Sequence, residues 1–311
     1  MQHVFLINPH AGKQNHAARI YAMAEHLRTR HGLCCTCLLT SRPGGAESLA
    51  RETAQSGDPV RLYACGGDGT VSEVANGIAG YPNAAMTVIP SGTGNDYLKN
   101  FGPDAARFSD VESLWDGPSF PLDLIDCNGR LCLTIACSGI DAQIADGIDQ
   151  FRRIPLLHGR ASYLCSVAVN GLLRPLGHAW TVTLDGVPQT GKFALVSVCN
   201  GRHYGGGSTP VPEARMDDGI LHTILIRAVP RRVFARFFPA YSAGRWQELP
   251  ADLVQVVQAR ETVISAPAPF TTCLDGECFH WQEARLVLSA RKVNFFGPKG
   301  CSPNATARGS I

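Results

Sequence analysis

Val60-Arg61-Leu62-Tyr63-Ala64-Cys65-Gly66-Gly67-Asp68-Gly69-Thr70 is the stretch on which the reading of this chain turns. An apolar, strand-like run (Val60, Leu62, Tyr63, Ala64) stops abruptly at glycines, and a helix-like pattern of Val71, Val74, Ala75 and Ile78 follows. Glycines after a strand let backbone N–H groups approach a ligand with no Cβ in the way. A helix N-terminus at the same place offers free N–H donors and a partial positive charge. Strand, glycines and helix start together read as a phosphate cradle. Asp68 argues that the phosphate arrives with a metal ion, since a carboxylate repels bare phosphate.

Outward from this stretch, the first part of the chain alternates strand and helix. Val4–Ile7 reads as a strand ending in Asn8-Pro9-His10-Ala11-Gly12-Lys13, followed by a helix pattern through Ala18, Ala22 and Leu27. Leu33–Leu39 is a second strand ending at Thr40, Ala46–Ala54 is helical, and Val71–Ala79 is the helix after the glycines. Met86–Ile89 is a fourth strand, ending in Pro90-Ser91-Gly92-Thr93-Gly94-Asn95-Asp96. This alternation implies a Rossmann-like α/β domain with a mostly parallel sheet covered on both faces. Ligands bind such sheets at the carboxyl ends of strands, where all four glycine- or threonine-rich signals lie.

After about Asp116-Gly117-Pro118 short strand-like runs take over, from Leu122–Asp126 and Leu131–Cys137 to Thr262–Ser265 and Leu286–Leu288. Asn128-Gly129, Asp185-Gly186 and Asp275-Gly276 read as hairpin turns. The pattern predicts an antiparallel β-sandwich-like domain with helices near Ala142–Phe151, Ala161–Leu172 and Arg231–Phe238. The expected division is 1–120, 121–295 and a tail, 296–311, that packs back on the first domain or is disordered.

The 311 residues suffice for two domains, and 45% hydrophobic with 17% charged residues is a globular composition. A net charge of +2 provides no global field toward nucleic acid or an anionic membrane. Nothing resembles a signal peptide, and no apolar run approaches the roughly 18 residues of a membrane span. A soluble chain, at most peripherally bound to a membrane, is expected. Of twelve cysteines, Cys34, Cys35 and Cys37 lack a zinc spacing, and Cys273 and Cys278 lack a second pair. Buried, reduced thiols are the expectation.

Taken singly, Asn8–Lys13 lacks the common P-loop spacing and also fits an ordinary strand-to-helix turn. Pro90–Asp96 equally fits a helix N-cap. In this order, however, Asn-Pro-x-x-Gly-Lys, Gly-Gly-Asp-Gly-Thr and Pro-x-Gly-Thr-x-Asn-Asp resemble the diacylglycerol kinase catalytic-domain family. The likeness is greatest to its soluble bacterial lipid kinases, with YegS-like and sphingosine kinase relatives. Gly139-Ile140-Asp141, Asn200 to Gly207, Pro212-Glu213-Ala214 with Asp218-Gly219, and Asp275-Gly276-Glu277 extend the resemblance to nearly the whole chain. Ile140 stands where the family often has phenylalanine.

The resemblance implies Mg²⁺- and ATP-dependent phosphorylation of the hydroxyl of diacylglycerol or a related lipid alcohol. It implies an N-terminal nucleotide domain, a C-terminal β-rich domain and an active cleft between them. Carried over by motif, Asn8, Pro9, His10, Ala11, Gly12, Lys13, Thr40, Gly66, Gly67, Asp68, Gly69, Thr70, Val71, Ser72, Thr93, Asn95 and Asp96 line the ATP site. Asp68 would organise metal and phosphate. A structural Mg²⁺ is implied at the Asp218 carboxylate with the Arg215 and Ile220 carbonyls. Glu277 is the expected general base, accepting the proton of a hydroxyl that is a poor nucleophile at neutral pH. The other reading of Glu277 is a solvated residue after a hairpin turn.

Two rival functions stand beside this one. NAD and sugar kinases share Gly-Gly-Asp-Gly-Thr, and a non-catalytic lipid-binding regulator would share the fold. Arg231–Phe238, with Arg245-Trp246 beyond it, carries arginines and phenylalanines that would seat a helix at a lipid boundary or pack it on the second domain. Pro239 is expected to end that helix. The implied location is cytoplasmic with peripheral membrane contact and no nucleic-acid partner; a homodimer is left open.

Overall fold

The computed structural model describes residues 1–12, 16–92, 95–152, 176–205 and 207–303. Lys13, Thr93 and the expected helix at Ala161–Leu172 lie outside them. The chain forms two units: Met1–Leu124 with Met216–Asp218 and Ser289 onward, and Ile125–Arg215 with Gly219–Leu288.

In the first unit the elements run β1 (Gln2–Ile7), α1 (Ala17–His31), β2 (Cys34–Leu39), α2 (Gly45–Gln55), β3 (Val60–Gly66), α3 (Asp68–Ile78), β4 (Ala84–Pro90), α4 (Asp96–Lys99) and β5 (Ser119–Leu122). The last strand of the chain, β16 (Val293–Phe296), returns to the same sheet, whose order is β2-β1-β3-β4-β16-β5. β1 to β4 and β16 are parallel, and β5 closes the edge antiparallel to β16. Phe5, Leu6 and Ile7 are essentially inaccessible, as a parallel strand covered on both faces requires. The chain moves from β1 outward to β2 and then back to β3 on the other flank of β1. The topological switch therefore lies between β1 and β3, where open α/β sheets bind ligands.

Helices α2 and α3 are joined at close range. A Cβ on Gly77 would stand 2.6 Å from the Glu47 carbonyl oxygen and 2.8 Å from the Ala50 Cβ. The Glu73 carboxylate accepts the Gly44 and Ala46 amides, both at 2.9 Å, so α3 supplies the N-terminal cap of α2. That anion already satisfies the α2 terminus.

The second unit holds β6 (Ile125–Cys127), β7 (Arg130–Cys132), β8 (Ile135–Gly139), α5 (Ile140–Arg152), β9 (Thr181–Leu184), β10 (Val187–Gln189), β11 (Phe193–Cys199), β12 (His222–Arg227), α6 (Arg231–Ser242), β13 (Val254–Gln258), β14 (Glu261–Leu274) and β15 (Glu277–Leu288). Every pairing is antiparallel, in the order β13-β12-β11-β8-β14-β15-β6-β7, with β9 on β14 and β10 on β9. Asn128-Gly129, Asp185-Gly186 and Asp275-Gly276 each form a two-residue turn with both φ positive, the geometry that matches strand twist. Side chains alternate between two cores. Ile135, Cys137, Ile224 and Ile226 pack with Phe237 and Tyr241 of α6, while Ala136, Val196, Leu225 and Ile264 line the other face.

Four expectations change. Leu122–Asp126 is not one strand: β5 ends in the first sheet, and β6 begins in the second. Leu131–Cys137 breaks at Leu133-Thr134, which side chains described below tie down. Val293–Phe295, expected in the second domain, belongs with Phe296 to the first unit because Phe295 is fully buried against Tyr97, Phe101 and Phe108. Helix α6 continues through Pro239 to Ser242. Phe237 and Tyr241 sit a turn apart in the core, and that burial outweighs the one helical bond proline removes.

Gly77→Val should destabilise the protein by about 1–3 kcal/mol through overpacking. A urea melt with an unchanged midpoint would show that α2 and α3 are not in this contact.

Candidate active site

In the first unit three loops meet at the carboxyl ends of β1, β3 and β4. The Gly66 carbonyl accepts both the Ser91 N–H, at 3.0 Å, and the Gly92 N–H, at 3.2 Å. Glycine is required where they touch. A Cβ on Gly92 would lie 2.6 Å from Gly67 Cα, and one on Gly12, whose φ is +73°, would lie 2.3 Å from the Ser91 carbonyl oxygen. A Cβ on Gly66 would meet Thr70 Oγ1 at 2.2 Å. Thr70 Oγ1 in turn accepts from Asn8 Nδ2 at 3.2 Å, linking the loop after β1 to α3.

Within this nest the expected residues divide by role. Asn8 Oδ1 accepts the His10 amide, which folds the Asn8–Gly12 loop with Pro9 and Ala11 half-buried and His10 exposed. The Thr40 hydroxyl is buried and donates to the Ile7 carbonyl, so it fastens the end of β2 to β1. Val71 and Ser72 are buried on α3. Asp68 opens α3, where the first amides have no intrahelical acceptor, and its Oδ1 accepts the Tyr97 N–H at 3.3 Å. Asp96 opens α4 and is ion-paired with Lys99. Asn95 sits in the left-handed region at φ 49°, its Nδ2 donating to the Gly92 carbonyl. Its Oδ1 and the Ser91 hydroxyl are buried and have no hydrogen-bond partner among the described residues. Helix-start amides without intrahelical acceptors suit a ligand with acceptor oxygens, and the Asn95 carbonyl oxygen suits one that also carries donors. Ser91 was legible only as part of its motif, since a serine gives no sign in sequence of being left unpaired.

In the second unit, motif residues converge on the segment Leu133–Ile135. The Asp275 carboxylate accepts the amides of Leu133, Thr134 (2.9 Å) and Ile135 (3.2 Å) together with the Thr134 hydroxyl. Asn200 Nδ2 donates to the Leu133 carbonyl at 2.7 Å, and the Asn200 and Gly201 amides donate to the Thr134 carbonyl. Asp275 thus ties down the strand break, Gly276 makes the turn, and Glu277 follows it at the start of β15. Glu277 is a third exposed and lies 3.3 Å from the Arg130 guanidinium, which orients it. Sequence reasoning passed over Arg130, which is distant from Glu277 along the chain. Gly139, at φ +102°, lets β8 approach the Ala194 carbonyl, where a Cβ would fall at 2.3 Å. Asp218 is exposed beside Gly219, which has φ +73°. It groups with the first unit, whereas Arg215 and Ile220 group with the second. Among the described residues no cluster of three His, Cys, Asp or Glu side chains could hold a metal, so an ion at Asp218 would need backbone oxygens or water, as hard cations accept.

On α6 the phenylalanines turn inward. Phe237 is buried, Phe234 and Phe238 pack against the same core, and Arg231, Arg232 and Arg236 are exposed. The aromatic side chains therefore pack on the second unit's core, Phe234 and Phe238 remaining partly exposed. No helix among the described residues is long and apolar enough to cross a membrane.

Residues 2–127 match the model of the diacylglycerol kinase catalytic domain, and residues 134–293 match that of the YegS C-terminal NAD kinase beta sandwich-like domain. A protein of Pseudomonas aeruginosa named a probable lipid kinase, YegS-like, is 32% identical over 83% of this chain and 87% of its own. A diacylglycerol kinase of Mycobacterium tuberculosis is 31% identical over 70% of each chain. The crystal structure of a diacylglycerol kinase from Bacillus anthracis, 19% identical, shares the fold with a TM-score of 0.66 over 95% of this chain and 96% of that one.

A carboxyl group near these motifs reports on folding. The Tyr204 hydroxyl donates to Asp141 and lies 3.2 Å from the Tyr241 hydroxyl. Burial raises the Asp141 pKa to about 6, and the Tyr204 hydrogen bond opposes that rise. Between the unfolded value near ~4 and about 6 the native state holds the extra proton, so stability falls as pH rises through this window. Asp141→Asn should remove this slope, which is on the order of 2 kcal/mol across the window. Melting temperatures from pH 4 to pH 7 measure it, and an identical profile for the variant would exclude Asp141 as its source.

Proposed function

This chain belongs to the diacylglycerol kinase and YegS lipid kinase family, and we propose that it transfers the γ-phosphoryl group of ATP to the hydroxyl of diacylglycerol or a related lipid alcohol. The observation that carries the proposal is the convergence of Asn8–Gly12, Gly66–Thr70 and the residues Ser91, Gly92 and Asn95 at the switch point of a parallel sheet. Phosphate oxygens would take the amides at the start of α3, and Lys13 and Thr93, which adjoin these loops in sequence, are proposed as further contacts. The Ser91 hydroxyl can donate to a phosphate oxygen, and Asn95 Oδ1, which only accepts, can take a hydroxyl or amino donor of the nucleotide. Asp68 fits the role of holding a hydrated cation, because its carboxylate stands where those amides begin. Mg²⁺, when bound, neutralises phosphate charge as transfer proceeds. Asp218, with the Arg215 and Ile220 carbonyls, is the second proposed Mg²⁺ ligand set.

Glu277 acts as general base on the acceptor hydroxyl, and Arg130 keeps its carboxylate in one orientation. The proton leaves the lipid oxygen for Glu277 as that oxygen bonds to phosphorus and the bond to the leaving ADP oxygen breaks. Positioning and charge neutralisation supply the larger share of the rate. The names of the relatives favour a lipid acceptor over NAD or a sugar.

Incubation with radiolabelled ATP and separate pools of diacylglycerol vesicles, NAD and hexoses should label the lipid alone. Glu277→Gln should keep nucleotide affinity while turnover drops by roughly 10²–10⁴. Asp68→Asn should weaken Mg²⁺–nucleotide binding as well. Label in the NAD or sugar pool would overturn the acceptor, and near-normal turnover by Glu277→Gln would remove that residue from the role.

A further inference from the structure

Cys137, Cys273 and Cys278 stand side by side on three neighbouring strands. Cys273 is directly opposite Cys137 of β8 on one side and Cys278 of β15 on the other. Directly opposed residues present their side chains on one face, and the Cys278 thiol also donates toward the Ala142 carbonyl at 3.9 Å. None of the three is bridged. Cys278 is half-buried, whereas Cys137 and Cys273 are buried.

Both pairs are close enough to join; the turn distinguishes their geometry, and only the pair with Cys278 includes a partly exposed thiol. Leu274 and Glu277 close the two-residue Asp275-Gly276 turn, so they form a hydrogen-bonded pair. The next pair along, Cys273 and Cys278, is then of the non-hydrogen-bonded kind, with Cα atoms about 4.5 Å apart and side chains close. That spacing lies at the short end of the roughly 4.4–6.8 Å that a disulfide spans. Cys137 and Cys273 form the wider, hydrogen-bonded kind, since successive residues of a strand direct their backbone groups to opposite sides. Closing the narrower pair needs a small outward adjustment of the strands, and it falls on the residue next to Glu277.

We propose that Cys273 and Cys278 are a reversible oxidation site, and that the disulfide between them shifts Glu277 and slows turnover. The oxidant is a peroxide. The Cys278 thiol, the more accessible of the two, attacks it, giving a sulfenic acid and one water. The Cys273 sulfur then displaces the hydroxyl, forming the S–S bond and a second water; two thiols lose two electrons and the peroxide gains them. The effect on turnover rests on the proposed role of Glu277, whereas the bond itself does not.

The test is to treat the full chain with hydrogen peroxide, alkylate the remaining thiols and map the peptides by mass spectrometry. Exposed Cys34 records the dose. The expected result is a Cys273–Cys278 cross-link that dithiothreitol reverses, with turnover falling about fivefold or more and recovering on reduction. Cys278→Ser should keep its turnover at the same dose. Both thiols remaining alkylatable when Cys34 is fully oxidised would overturn the site, as would a Cys137–Cys273 cross-link in its place. A mapped cross-link with unchanged turnover would overturn the coupling to Glu277. The cross-link should form equally in Glu277→Gln, so failure of the base assignment is seen separately from failure of this site.

Discussion

Two amides, those of Ser91 and Gly92, share the carbonyl oxygen of Gly66, and the candidate phosphate site is assembled around that shared bond. It brings the ends of β3 and β4 so close that glycine backbone passes over glycine backbone. No side chain larger than hydrogen is accommodated at Gly92. Because β3 ends there, α3 must begin at Asp68, three residues before the apolar helical pattern at Val71 becomes visible. The early start brings the carboxylate and the unsatisfied amides to one place. The Tyr97 amide then bonds to Asp68, and the Tyr97 ring rests on Phe295, so the last strand of the chain supports the acid from beneath.

A carboxylate plays the corresponding part in the second unit. Asp275 collects three backbone amides and a hydroxyl from Leu133–Ile135, groups that would otherwise be left without partners between β7 and β8. Asn200 secures the carbonyls of the same segment. Two motifs that look catalytic in sequence are thus partly architectural. Their polar side chains satisfy a strand break, and this rigid turn presents Glu277 and its Arg130 partner. The same rigidity makes the Cys273–Cys278 pair close and in register.

Short-range chemistry was largely legible. The three Asn-Gly and Asp-Gly pairs became the turns that their tolerance of positive φ demands, and the strand–helix alternation became a parallel sheet with loops at its carboxyl ends. Where local preference competes with burial, the reading was poorer. Pro239 speaks against a continuing helix, yet Phe237 and Tyr241 hold it to Ser242. For the phenylalanines of α6 the sequence left a lipid boundary and packing on the second domain both open, and their core contacts match the packing.

The order of residues along the chain determined which segments could be strands, where turns of positive φ occur, and which acids and glycines adjoin a helix start. These depend on atoms a few residues apart. Tertiary structure alone decided that Val293–Phe296 joins the first sheet, that Asp275 ties down Leu133–Ile135, and that Arg130 faces Glu277. Each of these depends on groups far apart in sequence, and burial selects such partners only after the sheets have formed.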